Sequence, residues 1–131
     1  MYWALKLTTD TKDKLILMLP EKVIIPANWT RHLDHITLIH SKNVTREVWD
    51  AAFLILDNFI CPKSEFRITG YAKNDSVIAL RVDTRSMNHQ SHITVATAPG
   101  HKPVESNDIK DDEWVEVWCP EKFVGYLVCE Q

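Results

Sequence analysis

Glycine is scarce, at 3 residues in 131, and no stretch is of low complexity, so the chain offers no flexible linker and no obvious division into independent domains. Cysteine is equally sparse. Cys61, Cys119 and Cys129 are odd in number and lack C-x-x-C spacing, which speaks against a complete disulfide framework or a zinc knuckle and predicts reduced, mostly buried thiols. Basic charge is not in excess: 15 Lys and Arg against 18 Asp and Glu leave a net charge of −3 and a pI near 6.0. That argues against a broad basic surface of the kind that wraps duplex DNA, and leaves open a small anionic ligand held in a pocket. No apolar run approaches the length of a membrane span, and Met1-Tyr-Trp-Ala-Leu-Lys-Leu has no basic segment leading into a long apolar core. The expectation is a cytoplasmic protein with no membrane partner. The sequons at Asn28 and Asn43 matter only in a secretory pathway, which this start does not signal.

What is present is the composition of an ordinary folded domain, with 45% apolar and 25% charged residues. At this length a single domain can bury a core without disulfides or a structural metal, so residues 1–131 are expected to form one unit. Residues 3–7 alternate as an opening strand, and residues 15–19 follow as a helical stretch stopped at Pro20. Residues 34–39 form a second strand. Thr45 then caps a helix whose apolar positions Val48, Trp49, Ala52, Phe53, Leu56 and Phe59 follow helical spacing, ending near Cys61-Pro62. Residues 66–71 and 77–82 are strand-like on either side of the polar cluster Lys73-Asn-Asp-Ser76, which predicts an antiparallel hairpin. A polar loop over 83–90 leads to a strand over 92–98, closed by Pro99-Gly100. Two last strands, 114–118 and 123–128, flank Pro120-Glu-Lys122. The sum is an α+β fold with mainly antiparallel sheet.

Within this pattern His35-Ile-Thr-Leu38 and His92-Ile-Thr-Val95 are nearly one tetrapeptide used twice, in two separate strands. On a strand, residues i and i+2 share a face, so each His projects beside its Thr while Ile36, Leu38, Ile93 and Val95 enter the opposite, apolar layer. Two such strands side by side would gather two imidazoles and two hydroxyls into one cleft. Imidazole titrates near neutrality, so one ring can take a proton from an attacking oxygen while the other gives one to the leaving oxygen. Thr37 and Thr94 can donate to the non-bridging oxygens of a phosphate and stabilise the charge of its transition state without a metal.

This pair of His-x-Thr motifs resembles the two-histidine phosphoesterase superfamily, and the resemblance covers nearly the whole chain. Within it, His92-Ile-Thr-Val-Ala-Thr-Ala followed by Lys102-Pro-Val-Glu-Ser-Asn107 is most similar to the cyclic phosphodiesterase domains of fungal and plant tRNA ligases and their viral and phage relatives. The resemblance implies a bilobal α+β fold: two mainly antiparallel sheets form a central cleft in two pseudo-symmetric lobes, with helices outside. It implies metal-independent hydrolysis of 2′,3′-cyclic phosphates, or of 2′-5′ and 3′-5′ linkages in RNA or small cyclic nucleotides. His35 and His92 would then be acid and base, in either order, and Thr37 and Thr94 the phosphate ligands, with no cofactor and no metal. No kinase or ligase segment like those joined to the tRNA-ligase module is present, which puts a tRNA-splicing role in doubt. A free-standing domain of this size also resembles viral members that degrade cyclic oligonucleotide immune signals.

Three further residues are candidate ligand contacts. Tyr2 lies on the face opposite Trp3 and could stack on a base. Lys42 follows the first motif and could reach a phosphate. Glu105 could touch a base edge or ribose, although capping the turn that follows is its simpler role. His40 should point away from His35 by strand alternation. A zinc site of His32, His35 and His40 is disfavoured, because their spacings do not share one strand face. The expected partner is a small ribonucleotide, a cyclic oligonucleotide or an RNA end bound by a monomer, the alternative being a non-catalytic RNA- or nucleotide-binding module.

Overall fold

The computed structural model describes residues 1–19, 23–57 and 63–130, without the side chains of residues 53 and 55–57. Its elements run β1 (Tyr2–Leu7), α1 (Thr9–Met18), β2 (Thr30–Arg31), β3 (His35–His40), α2 (Arg46–Asp57), β4 (Lys63–Phe66), β5 (Ile68–Lys73), β6 (Val77–Val82), β7 (His92–Thr97), β8 (Val115–Glu116) and β9 (Phe123–Glu130). Short 3₁₀ turns occupy Ser41–Asn43, Pro103–Asp108 and Asp111–Glu113.

The strands form one curled, antiparallel sheet in the order β4-β9-β1-β3-β7-β6-β5-β8, with β2 also on β7. The two sheets expected from the sequence are thus two halves of a continuous ladder. One half is β4-β9-β1-β3 and the other β7-β6-β5-β8, and the segment from Thr30 to His40 joins them. Its first part lies on β7, through Thr30↔Thr97 and Arg31↔Ala96 and hydrogen bonds from the His32 and Leu33 amides to the Val95 and Thr94 carbonyls. Its second part lies on β1, from His35↔Lys6 to His40↔Tyr2. Among the described residues β3 and β7 pair at Ile36↔Ile93 alone. Beyond it the strands part, and residues 83–90 enter the gap: the Met87 amide bonds the Leu38 carbonyl at 2.8 Å, and Ser86 Oγ donates to the Thr37 carbonyl at 2.8 Å.

Alternation explains the core. Leu5 and Leu7 on β1, Ile36 on β3, Ile93 and Val95 on β7, and Ile78, Leu80 and Val82 on β6 form one buried cluster with Leu15, Phe66, Ile68 and Phe123. Burying large aliphatic side chains stabilises the fold by roughly 1.5–3 kcal/mol each, before chain entropy is subtracted. A smaller cluster of Ala72, Val77, Ala79, Ile109 and Trp114 lies beside it.

Several boundaries differ from the sequence expectation. The strand predicted over 66–71 is broken at Arg67, whose amide bonds the Asp83 carboxylate at 2.8 Å, so β4 pairs with β9 and β5 with β6. The strand predicted over 114–118 shortens to β8, which pairs with β5, and that over 123–128 extends as β9, which pairs with β1 and β4. Helix α1 starts earlier than its apolar run, because Thr8 Oγ1 accepts from the Thr11 amide at 3.1 Å and caps it. Thr45 caps α2 as expected, accepting from the Val48 amide at 3.3 Å. The stop at Pro20 and the end of α2 near Cys61-Pro62 lie outside the described residues. Cys119 and Cys129 are of intermediate exposure rather than buried. No helix among the described residues is long and apolar enough to cross a membrane.

Candidate active site

The Ile36↔Ile93 pair fixes the geometry of the two motifs. His35 and Thr37 flank Ile36 on β3, and His92 and Thr94 flank Ile93 on β7, so the one pair brings both motifs together. Ile36 and Ile93 are fully buried beneath them. His35 and His92 both lie on the face away from these isoleucines, near enough for the charge on His35 to act on His92. All four side chains line a cleft of about 740 Å³.

The two rings are anchored differently. His35 Nδ1 lies 3.0 Å from Asp34 Oδ2, and Asp34 also meets Lys12 Nζ at 3.6 Å. His92 Nδ1 lies 2.7 Å from the Gln90 carbonyl. A carbonyl only accepts, so His92 carries its proton on Nδ1 when neutral and leaves the Nε2 lone pair available. Burial pushes the His92 pKa below the usual histidine value, the charge on His35 adds to this, and the bond to Gln90 opposes it. Burial would raise the Asp34 carboxyl, but its bond to His35 and the ammonium groups of Lys6 and Lys12 outweigh that and hold it low. Asp34 is thus an anion at neutral pH.

The hydroxyls also differ. Thr94 Oγ1 is 2.8 Å from Ser106 Oγ, and Ser106 is buried under the Pro103–Asp108 turn. The Pro103 carbonyl lies 3.5 Å from the same Thr94 oxygen, so the turn holds this hydroxyl from two sides. The Thr37 hydroxyl has no protein partner among the described residues, while its carbonyl is held by Ser86.

Tyr2 and Lys42 line the cleft. The Tyr2 ring lies 5.2 Å from that of His35 and stacks on His40 at 5.7 Å and 17°. Glu105 does not line the cleft. Its carboxylate accepts from the Lys102 amide at 2.6 Å and meets His101 Nδ1 at 2.9 Å, which is the capping role. His40, expected to face away from His35, lines the cleft instead. The register moves from Trp3↔Ile39 to Ala4↔Thr37, so Leu38 is an extra residue in β3, and this bulge returns His40 to the face of His35. Even so, no group of three or more His, Cys, Asp or Glu among the described residues is arranged to hold a metal ion.

Arg31, His32, Asp34, Asn43, Asn88 and Asn107 line the cleft as well, and sequence reasoning did not select them for a ligand site. His32 Nε2 lies 2.9 Å from Thr97 Oγ1, and burial lowers its pKa, with Asp34 opposing. Leu33 beside it takes φ 47° although buried. This left-handed conformation costs a leucine roughly 1–2 kcal/mol and turns the chain from β7 to β1 just before the first motif. For Asp34, adjacency to His35 was the available signal.

A model of the fungal tRNA ligase phosphodiesterase domain matches residues 26–122, a span that takes in both motifs. The chain belongs to this family, one of the two-histidine phosphoesterases. No curated protein and no solved structure gives a significant match. For a fungal tRNA ligase phosphodiesterase domain the general activity is that of a cyclic phosphodiesterase, a hydrolase of RNA processing. The part of this domain that precedes the matched span includes β1, which carries Tyr2.

Proposed function

We propose that the chain is a metal-independent phosphodiesterase that opens ribonucleotide phosphodiesters by two-histidine acid–base catalysis. Its substrates are 2′,3′-cyclic phosphates, or the 2′-5′ and 3′-5′ linkages of small cyclic oligonucleotides. The observation that carries this reading is the meeting of His35 and His92 in one cleft beside the Ile36↔Ile93 pair, each with Nδ1 occupied and Nε2 left for chemistry.

The different anchors suggest the roles. His92, kept neutral by burial and bonded to a carbonyl, suits the base. His35, beside the Asp34 carboxylate, suits the acid, since an adjacent anion compensates the charge of a proton-donating ring. On a 2′,3′-cyclic phosphate, His92 Nε2 takes a proton from water as its oxygen bonds to phosphorus. The bond from phosphorus to one ribose oxygen breaks, and His35 Nε2–H protonates that oxygen, leaving a phosphomonoester. Where the 2′-hydroxyl is free, that oxygen attacks in place of water and a cyclic phosphate is the product. Thr37 and Thr94 donate to the non-bridging oxygens.

The test is turnover in EDTA of a panel of 2′,3′-cyclic nucleotides, cyclic di- and trinucleotides and 2′-5′ oligoadenylates, read by product mass. His35→Ala and His92→Ala are each expected to lose about a hundred-fold to ten-thousand-fold in kcat while remaining folded. Saturable binding of a panel member with no turnover by the wild type would instead identify a non-catalytic nucleotide-binding module.

A further inference from the structure

The catalytic cleft does not end at its phosphate ligands. Asn43, Asn88 and Asn107 are shared with a second recess of about 330 Å³, which is also lined by Met87, Gln90, Ser106, Ile109 and Trp114. The two spaces are therefore contiguous, and the Pro103–Asp108 turn that holds Thr94 through Ser106 contributes residues to both.

Trp114 gives the recess its chemistry. It is only 8% exposed, and its indole Nε1–H is buried without a hydrogen-bond acceptor. A buried donor left unpaired is costly, so native structures seldom carry one without a reason. The same space holds apolar surface from Met87 and Ile109 and side-chain amides from Asn88, Gln90 and Asn107. An amide carries both donor and acceptor, as the edge of a nucleobase does, and the flat apolar body of a base needs a surface to lie against. The volume is at the lower end of small-ligand pockets, enough for one base with part of its sugar. At the junction, Lys42 lines the catalytic cleft next to Asn43, and its ammonium has no carboxylate partner among the described residues.

We propose that this recess is a second nucleoside subsite, so that the preferred substrate carries at least two nucleosides. The reacting phosphate sits between the two motifs, the neighbouring base enters the recess against Trp114, and the phosphate linking the two nucleosides passes Lys42. This rests on the phosphodiesterase reading and narrows it to an oligonucleotide end or a cyclic oligonucleotide over a mononucleotide.

The experiment compares kcat/KM for a nucleoside 2′,3′-cyclic monophosphate with that for the dinucleotide ending in the same 2′,3′-cyclic phosphate. Wild type is expected to favour the dinucleotide ten-fold or more, and Asn88→Ala, Asn107→Ala and Trp114→Phe are expected to bring the ratio towards one. Two substrates of one site share the same active fraction, so the ratio is insensitive to partial unfolding. If Trp114→Phe fails to fold, the partly exposed Asn88 and the exposed Asn107 carry the test. Equal turnover of both substrates by wild type would overturn the subsite and leave the phosphodiesterase intact, as would a preference unaltered in the variants. Turnover of neither substrate by wild type, nor of any panel member, would overturn the phosphodiesterase reading and the subsite with it.

Discussion

Asp34 and Gln90 anchor the two imidazoles with different chemistry, and the difference has a signature in pH. The His92 pKa lies below the usual 6.5, so this ring stays neutral into mildly acid solution. Activity that needs it as base is expected to fall on the acid side with a midpoint below pH 6.5, read from kcat/KM against pH. Stability follows the same group: as pH drops from 6.5 through the folded value, the unfolded chain binds the proton first, and the contribution of His92 is lost over that window. Asp34→Asn keeps the shape of the side chain but removes the charge beside His35. It is expected to lower kcat roughly ten-fold, a fraction of what an acid or base supplies, with KM little changed; an unaltered kcat would remove Asp34 from the mechanism. His35, Thr37, His92 and Thr94 were legible in the sequence because a repeated tetrapeptide on alternating strands announces its own face. Arg31, His32, Asn88 and Asn107 were not, because they sit in or beside loops whose placement depends on strands far away in the chain.

Elements were legible wherever one pattern ran uninterrupted. The alternation of β1, β3, β6 and β7 and the turn between β5 and β6 were readable, since apolar periodicity and turn chemistry are local. What escaped were the interruptions. The Leu38 bulge that brings His40 into the cleft is a matter of pairing with β1, and the break at Arg67 depends on Asp83, sixteen residues away. In helix α1 the apolar run was legible as helix but not by burial: Leu15 is buried while Leu17 is 86% exposed. Strand β9 makes a closer demand. A β-carbon on Gly125 would lie 3.1 Å from Leu5 Cβ and 3.3 Å from the Lys6 carbonyl, where the sheet is packed against β1. Gly125→Ala is expected to destabilise the protein by roughly 1–3 kcal/mol, measured by urea denaturation. It should do so with little change in kcat, because the clash lies away from the cleft-lining residues.

At the scale of the molecule, the proposed catalytic groups come from both halves of the sheet, His35 from one and His92 from the other. The halves are joined firmly where residues 30–36 lie on β7 and only through residues 83–90 beyond that point. The α+β class and antiparallel character followed from the order of elements in the sequence, whereas the fusion of two sheets by one chain segment did not. That fusion hinges on the left-handed Leu33, and no residue type announces it. Ser86 ties the loop to the first motif strand, donating to the Thr37 carbonyl at 2.8 Å and accepting from the Asn88 amide at 3.0 Å. Ser86→Ala is expected to cost about 1 kcal/mol of stability and a larger fraction of activity. Thermal melts and steady-state rates on one preparation would separate the two losses.

Residues 83–90 are therefore a spacer. They meet β3 where it has left β7, through the Ser86 and Met87 bonds to the Thr37 and Leu38 carbonyls, beside the opening that Asn88 lines. A spacer can be cut or lengthened without touching a catalytic atom. The same pair of histidines could then be regauged for a narrower or a bulkier phosphoester by changing loop length alone.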